Sequence, residues 1–383
     1  MTTEESRKRR LGLIKSAKRI VVKVGSGVLT GEKYHNVSPE VVSQIARQVA
    51  VLIKQGRKVA IVSSGSVAIG ARHLEVGRRD LSIPVQQAAA AVGQSDLIGL
   101  WANGLGAEGL KVGQILLTHD DLANRRRFLN ARNTINTLFD FGFVPVINEN
   151  DTVAVHEIKF GDNDTLSARV TNLIEAGLLA VLSDVDGLYS SDPRLDKDAC
   201  KVDIVDRVDD SILAMAKDSS TRTGLGGMAS KVRAADEAAR FGAATIIIPG
   251  AKENSLLDAL AGKRIGTFFF PHENKMSGKK HWIEYTLKSQ GSIIVDKGAK
   301  DALTLNGRSL LASGITDVKG DFESGEAVDI VGQDGRTIAK GLVNYHSPEL
   351  ARIMGRKSGE IEKILGYKIY DEVMHRNDMV FSG

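Results

Sequence analysis

The chain has 383 residues, 42% of them hydrophobic and 26% charged, with a formal net charge of +4. That length accommodates two domains and a sizeable core, and so small a net charge gives no bulk argument for a nucleic-acid partner. One cysteine, Cys200, excludes an internal disulfide and a cysteine metal cluster and fits a reducing cytoplasm, and no apolar run reaches membrane-spanning length.

The eight histidines include no His-x-x-x-His or similar ligand pair, so no structural zinc is expected. Residues 1–17 carry Ser6-Arg7-Lys8-Arg9-Arg10 and no apolar h-region. They read as a solvated tail, neither a secretory signal nor a nucleic-acid arm.

Lys18–Val24 reads as a buried strand that contains Lys23 and runs into Gly25-Ser26-Gly27. Glycines there let backbone amides approach a phosphate. A dinucleotide-binding turn is excluded, because the third glycine of that fingerprint is missing and Ser63-Ser64-Gly65 stands where its acidic residue belongs. On the residues alone, Lys23 serves equally well as a lysine that snorkels out of a strand.

Pro39–Gln55 is an amphipathic helix ended by Gly56, and Lys58–Val62 is the next strand. Ser63-Ser64-Gly65 then opens a helix, an arrangement suited to a carboxylate or to a plain capping turn. The small residues of 86–94 predict a closely packed helix, against either a subunit neighbour or the fold itself. Strand 112–117, helix 125–138 and strand 143–147 follow.

Two polar clusters come next, Asn148-Glu149-Asn150-Asp151 and Asp162-Asn163-Asp164, with a helix predicted from Thr165 to Ala176. So many acidic groups repel one another unless a cation or cationic substrate group lies among them. An EF-hand does not fit, because the glycine and terminal glutamate of that loop are missing. Strand 177–182 ends at Ser183-Asp184, ahead of an irregular stretch, Tyr189 to Pro193, suited to covering a base. Gly224-Leu225-Gly226-Gly227-Met228-Ala229-Ser230-Lys231 enters a helix of 232–241. This is not the Walker A order, but free amides, a helix dipole and a lysine in the first turn attract phosphate in the same way. Strand 244–249 closes this half.

Strand–helix alternation to this point predicts an α/β fold with a mostly parallel sheet. Residues 271–288 read as a linker. Beyond it, short strands at 292–295, 327–331 and 337–342 with a helix near 298–305 predict a small β-rich, barrel-like module.

The combination of Lys23-Val24-Gly25-Ser26-Gly27, Gly161-Asp162-Asn163-Asp164 with Asn148-Glu149-Asn150-Asp151, and Gly224 to Lys231 resembles the amino acid kinase family. Within that family it resembles the branch that acts on glutamate. Val62-Ser63-Ser64-Gly65, Phe128-Leu129-Asn130-Ala131-Arg132 and Asp184-x-x-Gly187-Leu188-Tyr189 extend the match.

The resemblance implies a three-layer αβα sandwich over 18–270, a PUA-like domain over 289–367 and a C-terminal tail over 368–383. It implies ATP-dependent phosphorylation of the side-chain carboxylate of L-glutamate, the first step of proline biosynthesis, with Mg2+ on the phosphates and no dedicated protein metal site. Proline as inhibitor, a homo-oligomer (a tetramer), a glutamyl phosphate reductase as partner and a cytoplasmic location belong to the same expectation.

By resemblance, Lys23, Asp164 and Lys231 are catalytic. Ser64, Asn148, Asp151, Asp162 and Asn163 bind substrate. Lys23, Gly25, Ser183, Asp184, Leu225, Gly226, Gly227, Met228, Ala229, Ser230 and Lys231 bind nucleotide. Ser183 and Leu225 stand where the family often has Thr, and only the second change removes a hydroxyl. Sibling kinases for acetylglutamate or aspartate are set against this reading by the PUA-like tail. An RNA-binding protein is disfavoured by 10 Lys+Arg against 11 Asp+Glu over residues 289–367.

Overall fold

Alternate residues of the central strands point into two different cores, so this sheet is covered on both faces. In the strand Arg19–Val24, Ile20, Val22 and Val24 join one apolar cluster and Val21 joins the other. In Leu178–Ser183, Leu178, Ala180 and Leu182 face the first cluster, and Leu179 and Val181 the second. Both strands read as unbroken apolar runs because a parallel sheet between two helical layers has no wet face. Lys23 shares the parity of Val21 and therefore points into the second layer.

The structure is a computed structural model that describes residues 3–30, 37–77, 82–153, 163–217, 227–272, 283, 287–368 and 370–381. It divides into two compact units, residues 1–275 and 276–383. The first unit runs α1 (Thr3–Ser16), β1 (Arg19–Val24), α2 (Ser26–Thr30), α3 (Pro39–Lys54), β2 (Lys58–Ser63), α4 (Ser66–His73) and α5 (Ile83–Gly106). It continues through β3 (Lys111–Leu117), α6 (His119–Ala123), α7 (Arg125–Asp140), β4 (Phe143–Glu149), α8 (Asn163–Leu173), β5 (Leu178–Ser183) and β6 (Ile204–Val205). It ends with α9 (Asp210–Lys217), α10 (Met228–Phe241), β7 (Ala244–Pro249), α11 (Ser255–Leu260) and β8 (Thr267–Phe269).

The eight strands lie in the order β3-β4-β2-β1-β5-β7-β8-β6. Every pairing is parallel except β7 with β8. The carboxyl ends of β1, β2, β4, β5 and β7 therefore open on one edge of the sheet, where ligands of such folds bind. No described helix is long and apolar enough to cross a membrane.

Helix α5 is closely packed within the chain itself, on α4. A Cβ on Gly93 would lie 2.0 Å from the Ser66 carbonyl oxygen, and one on Gly70 would lie 1.7 Å from that of Ala89. Two reciprocal glycines thus let the helix backbones touch, which accounts for the small residues of this stretch. Gly65, between β2 and α4, has φ of +120°, a conformation open to glycine almost alone.

The N-terminal residues are not the solvated tail that their charge suggested. Helix α1 buries Ile14 to 1% exposure, Arg10 donates to the Lys263 carbonyl at 3.0 Å, and the Arg9 and Arg10 guanidinium groups lie 4.4 and 5.3 Å from the centres of the Phe270 and Phe268 rings. Guanidinium groups stack on aromatic faces while remaining charged, so a basic helix docks here without an apolar stripe.

In the second unit the strands are β9 (Gly291–Val295), β10 (Ile315–Gly320), β11 (Ala327–Gly332), β12 (Thr337–Leu342) and β13 (Met379–Phe381), ordered β10-β9-β11-β12-β13. The expected helix is Lys297–Thr304. β10 alternates polar and apolar too weakly to be read from sequence. The C-terminal stretch is part of this unit's core rather than a tail, since Val373, Met374 and Met379 are fully buried and β13 pairs with β12. Most of the expected linker, residues 273–282 and 284–286, lies outside the described residues.

The α4–α5 contact gives a paired test. Gly93→Ala drives a methyl into the Ser66 carbonyl and should lower stability by about 1–3 kcal/mol. Gly99→Ala, on the same helix with nothing within 4 Å, should raise it by up to about 1 kcal/mol. Denaturant midpoints of both variants check this, and a harmless Gly93→Ala would contradict the close approach.

Candidate active site

Lys23 is the next-to-last residue of β1 and points into the layer of α8 and α10. Helix α8 starts at Asn163, two residues earlier than the periodicity predicted, so Asp164 sits in its first turn and is fully buried. Helix α10 starts at Met228, four residues earlier than predicted, with Gly227 at the N-cap and Lys231 in its first turn. These three elements bring the three expected catalytic side chains together.

The Lys23 ammonium pairs with Asp164 Oδ1, and Lys231 Nζ lies 3.3 Å from Asp164 Oδ2. Both lysines are 5% exposed. Ser230 Oγ donates to Asp164 Oδ2 at 2.7 Å. Burial by itself raises the pKa of Asp164. The charges of Lys23 and Lys231, with the hydrogen bonds from Lys23 and Ser230, outweigh that and hold the carboxyl well below the ordinary carboxylate range. Two ammonium groups against one carboxylate leave a net positive charge in a dry site, which suits an incoming phosphate.

A second group of polar side chains lies beside this one, on the ends of β2 and β4. Asn163 Nδ2 donates to Ser64 Oγ at 2.8 Å and to Asn148 Oδ1 at 3.0 Å. Asn148, only 2% exposed, donates from Nδ2 to Ser66 Oγ at 3.2 Å and to Gln94 Oε1 at 2.9 Å. Asp151 follows β4 and is half-buried. Burial pushes its carboxyl up to about 6, opposed in part by a hydrogen bond from Ser66. Asn163 Oδ1 is buried with no hydrogen-bond partner among the described residues. A desolvated carboxylate and an acceptor without a partner among the described residues are each groups that a cationic donor such as an ammonium would satisfy.

The third group is the candidate nucleotide edge. Ser183, at the end of β5, is 2% exposed and donates to Asp184 Oδ1 at 3.1 Å. Asp184 is exposed. A Cβ on Gly27 would lie 3.2 Å from Asp184 Oδ2, so the turn after β1 and the turn after β5 adjoin. Gly25 has room for a Cβ, with Leu182 O and Lys23 Nζ both at 3.6 Å, so packing does not require glycine there. Gly227 caps α10, and Met228, Ala229 and Ser230 belong to its first turn rather than to a preceding loop. Tyr189 donates to Asp186 Oδ1 at 2.7 Å in the loop that follows. Asp162, Leu225 and Gly226 lie outside the described residues.

Sequence reasoning missed three residues that brace this site, Trp101, Ser66 and Gln94. Trp101, fully buried on α5, donates from Nε1 to Ser63 Oγ at 2.8 Å, and Ser63 Oγ reaches the Ser64 carbonyl at 3.1 Å. Ser63 and Trp101 thus brace the turn that carries Ser64. Ser66 and Gln94 hold Asn148. Ser66 directly follows the Ser63-Ser64-Gly65 turn that was singled out, whereas nothing in the spacing of Gln94 or Trp101 links them to β2 or β4.

Residues 18–249 match the model of the amino acid kinase family, and residues 291–365 match that of the PUA domain. The chain is 49% identical to a glutamate 5-kinase of Syntrophotalea carbinolica, over 97% of this chain and 99% of the relative. It is 50% identical to a glutamate 5-kinase of Geobacter metallireducens and 49% identical to that of Geobacter sulfurreducens, each over 97% of this chain and 99% of the relative. The chain belongs to the amino acid kinase family, in the branch whose members carry the name glutamate 5-kinase.

Proposed function

We propose that the chain transfers the γ-phosphoryl group of ATP to the side-chain carboxylate of L-glutamate, giving L-glutamyl 5-phosphate and ADP. The observation that carries this reading is the buried Lys23–Asp164–Lys231 unit beside the Ser64, Asn148, Asp151 and Asn163 group. High identity to glutamate 5-kinases over nearly the whole chain supports the choice of acceptor.

The acceptor carboxylate is already ionised and nucleophilic at neutral pH, so no general base is needed. One of its oxygens forms the new bond to the γ-phosphorus as the bond to the bridging β,γ-oxygen breaks, and no proton moves. The obstacle is repulsion between an anion and a polyanion. Lys23 and Lys231 answer it by placing two ammonium groups at the phosphoryl group in transit, and Asp164 keeps both in register. Asp151 and Asn163 take the α-ammonium of glutamate, and the Ser64 turn takes a carboxylate.

The backbone amides at the start of α10 and the Ser183-Asp184 turn hold the nucleotide. Among the described residues no group of three or more His, Cys, Asp or Glu is set to hold a metal. Mg2+ enters the proposal as an ion that would be carried by the phosphates and would neutralise their charge. Proline as a feedback inhibitor, assembly into a homo-oligomer and delivery of the acyl phosphate to a glutamyl phosphate reductase complete the proposal.

Hydroxylamine trapping tests the reading. With MgATP, hydroxamate should form from L-glutamate, fall when proline is added, and not form from N-acetylglutamate or L-aspartate. Turnover of one of the other acceptors in place of glutamate would overturn the substrate.

Asp151 also predicts a pH dependence. Its pKa in the free enzyme is raised to about 6, so the carboxylate that receives the α-ammonium is present above pH 6 and is lost below it. The kcat/KM for glutamate should therefore fall as pH drops through about 6, approaching roughly tenfold per unit, and Asp151→Asn should remove that slope. A profile flat to pH 5 would contradict the role.

A further inference from the structure

The amide groups of Asn148 and Asn163 form a chain with a direction, and Ser66 and Gln94 stand at the end that sets it. Asn148 Nδ2 donates twice, to Ser66 Oγ at 3.2 Å and to Gln94 Oε1 at 2.9 Å. Its Oδ1 then faces Asn163 and accepts from Asn163 Nδ2 at 3.0 Å. Asn163 Nδ2 also donates to Ser64 Oγ at 2.8 Å. The remaining atom, Asn163 Oδ1, is buried and has no partner among the described residues.

This direction follows from the hydrogen inventory of the neighbours. A serine hydroxyl has one hydrogen, and that of Ser66 is given to the Asp151 carboxylate, which only accepts when ionised. Ser66 Oγ must therefore accept from Asn148. Gln94 presents its carbonyl oxygen to the same amide nitrogen and so adds a second acceptor to the one that Ser66 provides. With Asn148 fixed, Asn163 has to offer its nitrogen to Asn148 and turn its oxygen elsewhere. The direct contact of α4 and α5 at Gly93 brings the neighbouring residue, Gln94, to the end of β4.

We propose that Ser66 and Gln94 are positioning residues that fix the amide orientation of Asn148 and Asn163, so that the pocket meets the substrate amine with two acceptors, Asn163 Oδ1 and Asp151. This rests on the glutamate reading above and adds the origin of its selectivity. A substrate with a free amine satisfies both acceptors. A dicarboxylate without the amine leaves a buried oxygen and a desolvated carboxylate unpaired, and such unmatched groups are what a polar site rejects most strongly.

The test compares L-glutamate with glutarate, which lacks the amine. KM for glutamate and the inhibition constant of glutarate are measured for the full chain, for Gln94→Leu, for Gln94→Glu and for Ser66→Ala, with folding checked by circular dichroism. Gln94→Leu removes the acceptor and should cut the preference for glutamate over glutarate by roughly fivefold or more, with kcat and the KM for ATP within about twofold. Gln94→Glu keeps an acceptor and should retain most of the preference. Ser66→Ala releases the chain from the other end and should act in the same direction as Gln94→Leu, which leaves a decisive variant if Gln94→Leu does not fold.

An unchanged preference in Gln94→Leu or, should that variant not fold, in Ser66→Ala would overturn the inference and leave glutamate as substrate. So would a Gln94→Glu variant as impaired as Gln94→Leu, because the role of Gln94 would then be packing. A parent enzyme that neither turns over glutamate nor prefers it to glutarate would overturn both readings together.

Discussion

One carboxylate between two ammonium groups, all but closed off from water, is the constraint on which the rest of this fold depends. Asp164 cannot be buried alone, since an isolated buried charge is expelled or neutralised. Lys23 and Lys231 cannot be buried together without it. Leaving either side unpaired in such a site costs about 3–5 kcal/mol. Each member comes from a different element: the end of β1, the first turn of α8 and the first turn of α10. Their pairing therefore pins two helix N-termini to one strand end. The net positive charge of the unit suits the proposed reaction, in which one anion must approach another.

The polar group assigned to the substrate is built on a different principle, close backbone approach. Gly70 and Gly93 let α4 and α5 touch, and Gly65 turns the chain between β2 and α4 with φ of +120°. With no side chains between them, Ser66 and Gln94 both come within hydrogen-bond range of Asn148, although the three derive from separate segments. The polar chain that results ends on an acceptor with no partner among the described residues, Asn163 Oδ1, and Ser66 ties it to the desolvated carboxylate of Asp151, the two groups assigned above to the substrate amine.

Much of this was legible in the sequence because it is local. Strand, polar turn and helix follow one another at each of the sheet's ligand-facing loops, and the turn residues near Gly25, Ser64, Asn148, Ser183 and Gly227 announced themselves by type. The helix starts at Asn163 and Met228 were read late, because first-turn polar residues interrupt the apolar period. Other features are tertiary and left no local trace. Helix α1 docks through Arg9 and Arg10 on Phe270 and Phe268, partners some 260 residues away in the chain, and its own pattern is that of a solvated segment. The C-terminal strand Met379–Phe381 is too short to stand out and gains its meaning from pairing with β12. Gln94 lies in a run of small residues, where only the partner helix reveals what it reaches.

The measurement that bears most directly on the central claim is steady-state kinetics of Lys23→Ala and Lys231→Ala with glutamate and MgATP. If the two ammonium groups act on the phosphoryl group in transit, kcat should fall by roughly a hundredfold or more while KM for glutamate stays within a few-fold. Variants that keep kcat and lose only affinity for ATP would show that the lysines are nucleotide grips, and the account of the buried charge unit as catalytic would be wrong.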